Sequence, residues 1–285
     1  VKDRYKDTKF LRYVRVAQNI EESSTAAADN GMASGSYSET NVRQEGVDEG
    51  DTAKTDGTYL YVLKDKSDQI AIIDTRDNRM KQTATITVED VSEIQEMYLD
   101  IERNQLIAVC DGYVGGKWND DDYGYGQKIN TTAVTYDISD RADPKEVGRV
   151  SQSGYYNSSR IADGYLYLFS DYYVTLDGIT AKNPKSYIPL VNDNLIKETD
   201  ICLPSISKAD MYSIITSVSL ENPDETAHSK ALLADGGNLY VSNDNIYFYE
   251  NVWQYSGKDV TTIRKVSYES GKLTAGAQCK IDGYI

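Results

Sequence analysis

Asp56–Leu63 reads DGTYLYVL, and much further along the chain Asp163–Ser170 reads DGYLYLFS. In both stretches a two-residue turn signal precedes a run with apolar residues at every second position. This alternation is typical of a β-strand whose two faces meet different surroundings. Its return after a long interval predicts a protein built from repeated β-modules.

Working outward from these stretches, strands separated only by turn signals fall into four groups of four, with no helical pattern between them. The groups span residues of about 51–90, 94–152, 155–234 and 237–285. We therefore predict an all-β, antiparallel fold, a β-propeller with four four-stranded blades. A two-sheet sandwich is the alternative, since it also uses many short strands. An aspartate that recurs at the end of a third strand, Asp74 and Asp137, favours the propeller.

Three separated segments resemble the secreted bacterial β-propeller-domain proteins, a family distantly related to WD-type repeats. The segments are Thr40–Leu63 (TNVRQEGVDEGDTAKTDGTYLYVL), Tyr136–Phe169 (YDISDRADPKEVGRVSQSGYYNSSRIADGYLYLF) and Gly283–Ile285 (GYI). The resemblance implies an exported propeller whose ligand is generally unassigned, and it carries no agreed catalytic residues. Family members usually continue past the Gly-Tyr-Ile element. We therefore expect residues 40–285 to form part of a larger wheel, truncated at its C-terminal side, that self-associates to cover its bare faces.

The charge balance argues against a nucleic-acid partner. The chain has 45 acidic and 30 basic residues, and a negative surface repels phosphate backbones. The sequence contains no signal peptide and no apolar run long enough to span a bilayer. Together with the family resemblance, this predicts an extracellular protein, secreted or attached to the cell surface, whose leader or anchor has been removed.

Residues 1–39 differ from the rest of the chain. Phe10, Val14, Ala17 and Ile20 recur at helical spacing, and a Ser-, Ala- and Gly-rich stretch follows them. This pattern predicts a short N-terminal amphipathic helix and a linker.

The cysteines, Cys110, Cys202 and Cys279, are scattered and odd in number, without the close spacing of a metal site. Cys110 lies in an apolar strand and is interpreted as a small buried side chain. The sequence leaves open whether two of the three form a disulfide.

Sequence signals for catalysis are weak. His228 is the only histidine, and its expected position is an outer strand of the third blade. The chain has no nucleophile-elbow, zinc-protease or phosphate-loop motif. A hydrolase or lyase with carboxylates at the central axis stays as the alternative function, but a non-enzymatic role is favoured.

The segment Trp118–Gly126, WNDDDYGYG, is the sharpest local cluster of acidic residues. Carboxylates beside glycine suit calcium, with Asp120 and Asp122 as candidate ligands, but the spacing of an EF-hand loop is absent. A solvated acidic loop is the default interpretation, and no other cofactor is predicted.

The connections between the second and third strands of the blades are expected on one face, which we call the long-loop face. Aromatic residues are concentrated there, and adjustable loops on a rigid scaffold suit binding. The candidate ligand-binding residues are Trp118, Tyr123, Tyr125, Tyr172, Tyr173, Tyr187, Trp253 and Tyr255. We therefore predict a recognition or scaffold module that binds a protein, peptide or glycan; a purely structural spacer is a further alternative.

Alternation also predicts which side chains form the core. The residues expected between blades are Leu60, Val62, Ile72, Ile107, Val109, Val134, Leu166, Leu168, Leu239, Val241 and Ile263.

Overall fold

Four β-sheets follow one another along the chain in a computed structural model. The structure describes residues 46–65, 67–76, 80–113, 129–174, 183–203, 210–234, 238–253 and 259–285, and the side chains of Tyr113, Val252 and Trp253 lie outside that description. All of these residues belong to one unit, residues 37–285. The predicted N-terminal helix lies outside the described residues.

Each sheet contains a blade of four antiparallel strands, which confirms the predicted β-propeller fold class. Blade 1 consists of β2 (Ala53–Thr55), β3 (Tyr59–Leu63), β4 (Gln69–Asp74) and β5 (Lys81–Thr87). Blade 2 consists of β6 (Glu93–Asp100), β7 (Gln105–Tyr113), β8 (Ile129–Asp137) and β9 (Lys145–Ser153).

Blades 3 and 4 repeat this order. Blade 3 consists of β10 (Tyr155–Ala162), β11 (Tyr165–Tyr173), β15 (Met211–Ser219) and β16 (Thr226–Ala234). Blade 4 consists of β17 (Asn238–Val241), β18 (Asn245–Trp253), β19 (Asp259–Glu269) and β20 (Lys272–Asp282). None of the described helices is long and apolar enough to cross a membrane, and those present are short 3₁₀ turns.

The chain enters the blades along the innermost strands of blades 2 and 3. The two-residue strand β1 (Val47–Asp48) pairs with β10, and Asp51 forms an isolated bridge with Met97 on β6. Gly50 packs closely on Glu96, since a Cβ there would lie 2.4 Å from Cδ of Glu96. The segment of residues 47–51, which precedes blade 1, is thus held by backbone pairing with blades 2 and 3.

In the long connection between β11 and β15, the described segments include short strands along the outer edges of two blades. Its hairpin, β12 (Leu190–Val191) and β13 (Asn194–Leu195), pairs with β9 of blade 2. Its third short strand, β14 (Ile201–Cys202), then runs parallel to β16 of blade 3. These additions cover strand edges that would otherwise expose unpaired backbone groups.

Three apolar clusters hold neighbouring blades together. Tyr61 and Ile72 of blade 1 pack on blade 2, Leu166 and Leu168 of blade 3 pack on blade 2, and Phe169 packs on blade 4. Along β11, therefore, even-numbered residues face blade 2 and odd-numbered residues face blade 4, as the period of two requires.

The predicted core is correct for blades 2 and 3 and less so for the other two. Ile72, Ile107, Val109, Val134, Leu166, Leu168 and Val241 are buried. Leu60, Val62, Leu239 and Ile263 are only half-buried. The reason for Leu60 and Val62 is that they point away from blade 2, the one neighbour that blade 1 contacts through its buried cluster.

The two Asp-Gly turns have a common role in joining blades. Asp56 Oδ2 accepts a hydrogen bond from Arg141 of blade 2 at 3.1 Å. Asp163 Oδ2 accepts one from the main-chain N–H of Ser270 in blade 4 at 2.8 Å. Each aspartate thus ties its turn to the last turn of the next blade, which gives the repeated Asp-Gly pair a physical purpose.

Candidate functional site

Strand register places three polar or aromatic side chains in one row at the long-loop end of blade 3. Tyr155 on β10 lies opposite Asp171 on β11, and Asp171 lies opposite Ser213 on β15. Directly opposed residues of antiparallel strands project from the same face of a sheet. This face is the one that packs on blade 4 through Phe169, two residues before Asp171.

Tyr173 completes the row, because it follows Asp171 by two residues and so projects from the same face. Its ring and that of Tyr155 meet edge to face, with centroids 6.4 Å apart and planes at 71°. The side chains are nevertheless open to solvent: Tyr155 is 48% exposed and Tyr173 is 60% exposed. Two exposed aromatic rings at this angle form a corner that a ligand can enter.

Asp171 lies beneath this corner as a largely buried carboxylate. It accepts hydrogen bonds from Asn157 Nδ2 at 2.6 Å and from Ser213 Oγ at 3.0 Å. Burial raises the pKa of Asp171, and the two hydrogen bonds only partly offset that effect. Among the described residues, Asp171 is in no ion pair.

The same strand position carries a comparable pair in other blades. In blade 2, Asp111 lies opposite Thr131; in blade 4, Asn251 lies opposite Thr261 and accepts its hydroxyl at 2.6 Å. Burial raises the pKa of Asp111 to about 6. The Asx–hydroxyl pair is therefore a structural repeat, and in blade 3 two exposed tyrosines lie beside it.

The opposite face of blade 3 carries a second aromatic pair. Tyr172 and Tyr212 stack with centroids 6.4 Å apart and belong to the cluster shared with blade 2. Tyr172 also lines a pocket of about 140 Å³. Its other lining residues are Ile129, Asn130, Ser151, Gln152, Ser153, Lys185, Leu190 and Asp193.

Glu96 lies on β6, the first strand of blade 2, and contacts the first strand of blade 3. Its Oε1 accepts hydrogen bonds from the hydroxyls of Tyr98, at 3.1 Å, and Ser159, and a side-chain hydrogen bond also joins it to Tyr156. Burial and the charge of Glu96 raise the pKa values of Tyr98 and Tyr156. With Gly50 packed against it, Glu96 joins blades rather than facing an open cleft.

His228 lies on the outer strand β16, as expected, and both of its ring nitrogens have partners. Nδ1 accepts the main-chain N–H of Leu273 in blade 4 at 2.9 Å, while Nε2 lies 3.2 Å from Asp200 Oδ1. The neutral tautomer that satisfies both contacts carries its proton on Nε2. This arrangement joins blade 3 to blade 4 and leaves no free nitrogen for a general base.

The predicted ligand-binding residues divide into three groups. Tyr173 is at the exposed corner, Tyr172 is half-buried in the stack on the other face, and Tyr187 is half-buried after the 3₁₀ turn Pro184–Ser186. Trp118, Tyr123, Tyr125 and Tyr255, the side chain of Trp253, and the candidate calcium ligands Asp120 and Asp122 lie outside the described residues. Within the described ranges, no group of three or more metal-ligating side chains could hold an ion.

Tyr155 and Asp171 were missed as site residues from the sequence. Tyr155 was expected only to begin a strand, and Asp171 was expected to follow a strand that ends at Phe169. Pairing β10 with β11 from their shared Asp-Gly turn would have set Tyr155 opposite Tyr172, because a β-bulge between Tyr156 and Ser158 shifts the register by one residue. The turn therefore does not predict the row, and only the observed strand pairing brings Tyr155 to Asp171.

The model of the beta-propeller domain family matches residues 37–285, and the chain belongs to this family. The chain is 25% identical over 254 residues to an uncharacterized protein of Methanocaldococcus jannaschii, a match that covers 85% of this chain and 34% of that protein. The chain therefore spans about a third of the length of that curated relative.

Solved structures with some likeness include a functionally unknown protein of Desulfotomaculum acetoxidans, at 10% identity and a TM-score of 0.28, covering 81% of this chain and 69% of that one. Another is the WD40 domain of Toxoplasma gondii coronin, at 9% identity and a TM-score of 0.19, covering 78% and 68%. At these TM-scores neither likeness carries an argument about function.

Proposed function

We propose that this protein is an extracellular recognition module that binds a macromolecular ligand through the long-loop face of its propeller. The observation that carries the proposal is the exposed corner formed by Tyr155 and Tyr173 above Asp171. Tyrosine is enriched at binding surfaces because a large ring with two side-chain torsions loses little entropy when it is covered.

The fold supports this proposal because it holds the corner rigidly. Tyr155 and Tyr173 are both on strands, and Asp171 pairs with Tyr155 on β10 and with Ser213 on β15; a β-bulge shifts the β10–β11 register between Tyr156 and Ser158. A rigid scaffold that presents exposed aromatics lowers the cost of binding, since little has to be ordered when the ligand arrives.

The extracellular location is proposed from the sequence. It is supported by the resemblance of Thr40–Leu63 to secreted propeller proteins and by the excess of acidic residues. The axial hydrolase finds less support among the described residues, because Glu96 is already engaged by hydroxyl groups and covered by Gly50.

A panel screen tests the function. The whole chain is applied to an array of peptides and cell-surface glycans, beside the double variant Tyr155→Ser/Tyr173→Ser and the control Tyr240→Ser. Tyr240 is a fair control because it is also 48% exposed and also contacts a second tyrosine ring, that of Tyr247, at 6.4 Å. We expect the double variant to lose binding that the control keeps. Equal binding by all three proteins would contradict a site at Tyr155 and Tyr173.

A further inference from the structure

The corner between Tyr155 and Tyr173 has the chemistry of a cation site. We propose that it receives a lysine or arginine side chain of a partner protein, an inference that rests on the recognition function proposed above. A cation is attracted to the electron-rich face of an aromatic ring, and two rings at a steep angle attract it from two sides.

The geometry supplies the two walls of this site. The ring planes of Tyr155 and Tyr173 are inclined at 71°, and both side chains remain about half exposed. A sugar ring stacks best on a single open face, whereas a corner of this kind suits a narrow alkyl chain that ends in a charge. The walls would contact the methylene groups of the side chain as well as its charged end.

The negative charge expected beside a cation comes from the carboxylate of Asp171. Asp171 lies directly across the ladder from Tyr155, and its carboxylate is held in place by Asn157 and Ser213. Burial raises the pKa of Tyr173, and the charges of Asp171 and Asp210 raise it further, so both carboxylates act on this ring. Asp210 is exposed at the start of β15, and its main-chain oxygen accepts the N–H of Val174 at 2.7 Å.

In the described part of the chain, neither Asp171 nor Asp210 is in an ion pair with a lysine or arginine. A largely buried carboxylate without a cation keeps an unfavourable desolvation cost that an incoming cation would reduce. The whole chain carries a net charge of −15, which also steers a basic partner towards it. A hard metal ion fits the corner less well, because it prefers six or more oxygen ligands to aromatic walls.

The protein already uses this chemistry internally. Arg76 and Arg141 lie over the ring of Tyr59, with 5.5 and 5.8 Å between each guanidinium carbon and the ring centroid. The same Arg141 is paired with Asp56. Blade 1 thus contains an arginine–tyrosine–aspartate group of the kind that we propose a partner's side chain forms at blade 3.

The test uses NMR titration of the whole chain with three short peptides of the same glycine–serine backbone. One carries a central lysine, one a central arginine and one a central acetyl-lysine, which keeps the shape and removes the charge. We expect the two charged peptides to shift the amide signals of Tyr155, Asp171 and Tyr173, and the acetyl-lysine peptide to leave them unchanged.

Variants separate the corner from the general acidity of the surface. Tyr173→Leu keeps an apolar side chain but removes the ring, and it should weaken binding of the lysine peptide roughly tenfold, whereas Tyr240→Leu should leave it unchanged. Asp171→Asn keeps an acceptor for Ser213 and should also weaken binding. If Tyr173→Leu and Asp171→Asn both bind the charged peptides as tightly as the parent, attraction is non-specific and the inference is wrong.

The outcomes also distinguish failure of the cation site from failure of the proposed recognition function. If acetyl-lysine or a cell-surface oligosaccharide shifts the same amides as strongly as lysine does, the cation site is wrong and the recognition function stands. If no charged or neutral probe shifts them, and the Tyr155→Ser/Tyr173→Ser variant keeps every ligand found on the array, both proposals are wrong.

Discussion

Asp111 accepts a hydrogen bond from the main-chain N–H of Tyr156, with 2.8 Å between Oδ1 and the nitrogen. Asp111 lies near the end of the second strand of blade 2, whereas Tyr156 is the second residue of the first strand of blade 3. One carboxylate therefore fastens the crossover between two blades. The same crossover also packs closely on β11, because a Cβ at Gly154 would lie 2.6 Å from the main-chain oxygen of Asp171.

The protonation of Asp111 should make stability depend on pH. Burial raises its pKa from 3.8 to about 6, so the folded protein holds this proton more tightly than the unfolded chain does. The contribution of Asp111 to the free energy of unfolding is fully present below pH 3.8. It decreases by at most about 3 kcal/mol as the pH rises to about 6. In the Asp111→Asn variant, the free energy of unfolding should fall less over this pH range than in the parent, as measured by urea titrations. Part of the fall should remain, because burial also raises the pKa of Asp171.

Asp74 provides a control of opposite sign for that measurement. Hydrogen bonds from Arg76 lower its pKa to about 2, so its contribution is present above pH 3.8 and is lost as the pH falls. The Asp74→Asn variant should therefore retain the fall between pH 3.8 and 6. A parent protein whose stability rises across that range would contradict the assignment to Asp111.

Replacing Leu166 should destabilise the protein more than replacing Leu60, although the two leucines occupy equivalent positions in the repeated strand. Leu166 is 1% exposed between blades 2 and 3, whereas Leu60 is half-buried on the far side of blade 1. Leu166→Ala should lower the free energy of unfolding by about 2–5 kcal/mol, and Leu60→Ala by clearly less. Chemical denaturation of both variants decides; equal losses would mean that both faces of blade 1 are covered alike.

Gly154 should resist replacement more strongly than Gly164. Both have positive φ, +101° and +75°, but a Cβ meets backbone only at Gly154. Gly164→Ala should cost about 1 kcal/mol for its conformation alone, and Gly154→Ala more than 2 kcal/mol, because its neighbour Asp171 must also move. Thermal midpoints in the same buffer give the comparison, and a reversed order would refute this account of the crossover.

His228 should stabilise the junction between blades 3 and 4. Replacing it with alanine leaves the Leu273 N–H without its acceptor, at a cost of about 1–3 kcal/mol. Hydrogen exchange of the Leu273 amide should become faster in His228→Ala and stay unchanged in Ser229→Ala, which alters the adjacent residue of the same strand. An unchanged Leu273 amide in His228→Ala would show that this contact does not hold the two blades.

The alternation of apolar residues was sufficient to predict the class of fold. Apolar residues alternate in a strand whose two faces meet different environments. DGTYLYVL therefore predicted its strand almost to the residue, as Tyr59–Leu63 shows, whereas DGYLYLFS predicted the start of its strand but not its continuation to Tyr173. The Asp-Gly turns were equally visible, because their backbone demands depend on local residue types alone. The sequence also predicted a binding role for the long-loop face, with Tyr173 among its residues, and that role stays a prediction.

The environment of each strand depended on the tertiary structure. Leu60 and Leu166 look alike in the sequence, but burial requires a neighbouring blade, which lies far away in the chain. Likewise, Tyr155 and Asp171 are separated by an entire hairpin and come together only through strand register. Local propensity determines that a strand forms and where it turns. The pairing of distant strands determines which side chains share a surface, and the candidate site of this protein depends on that pairing.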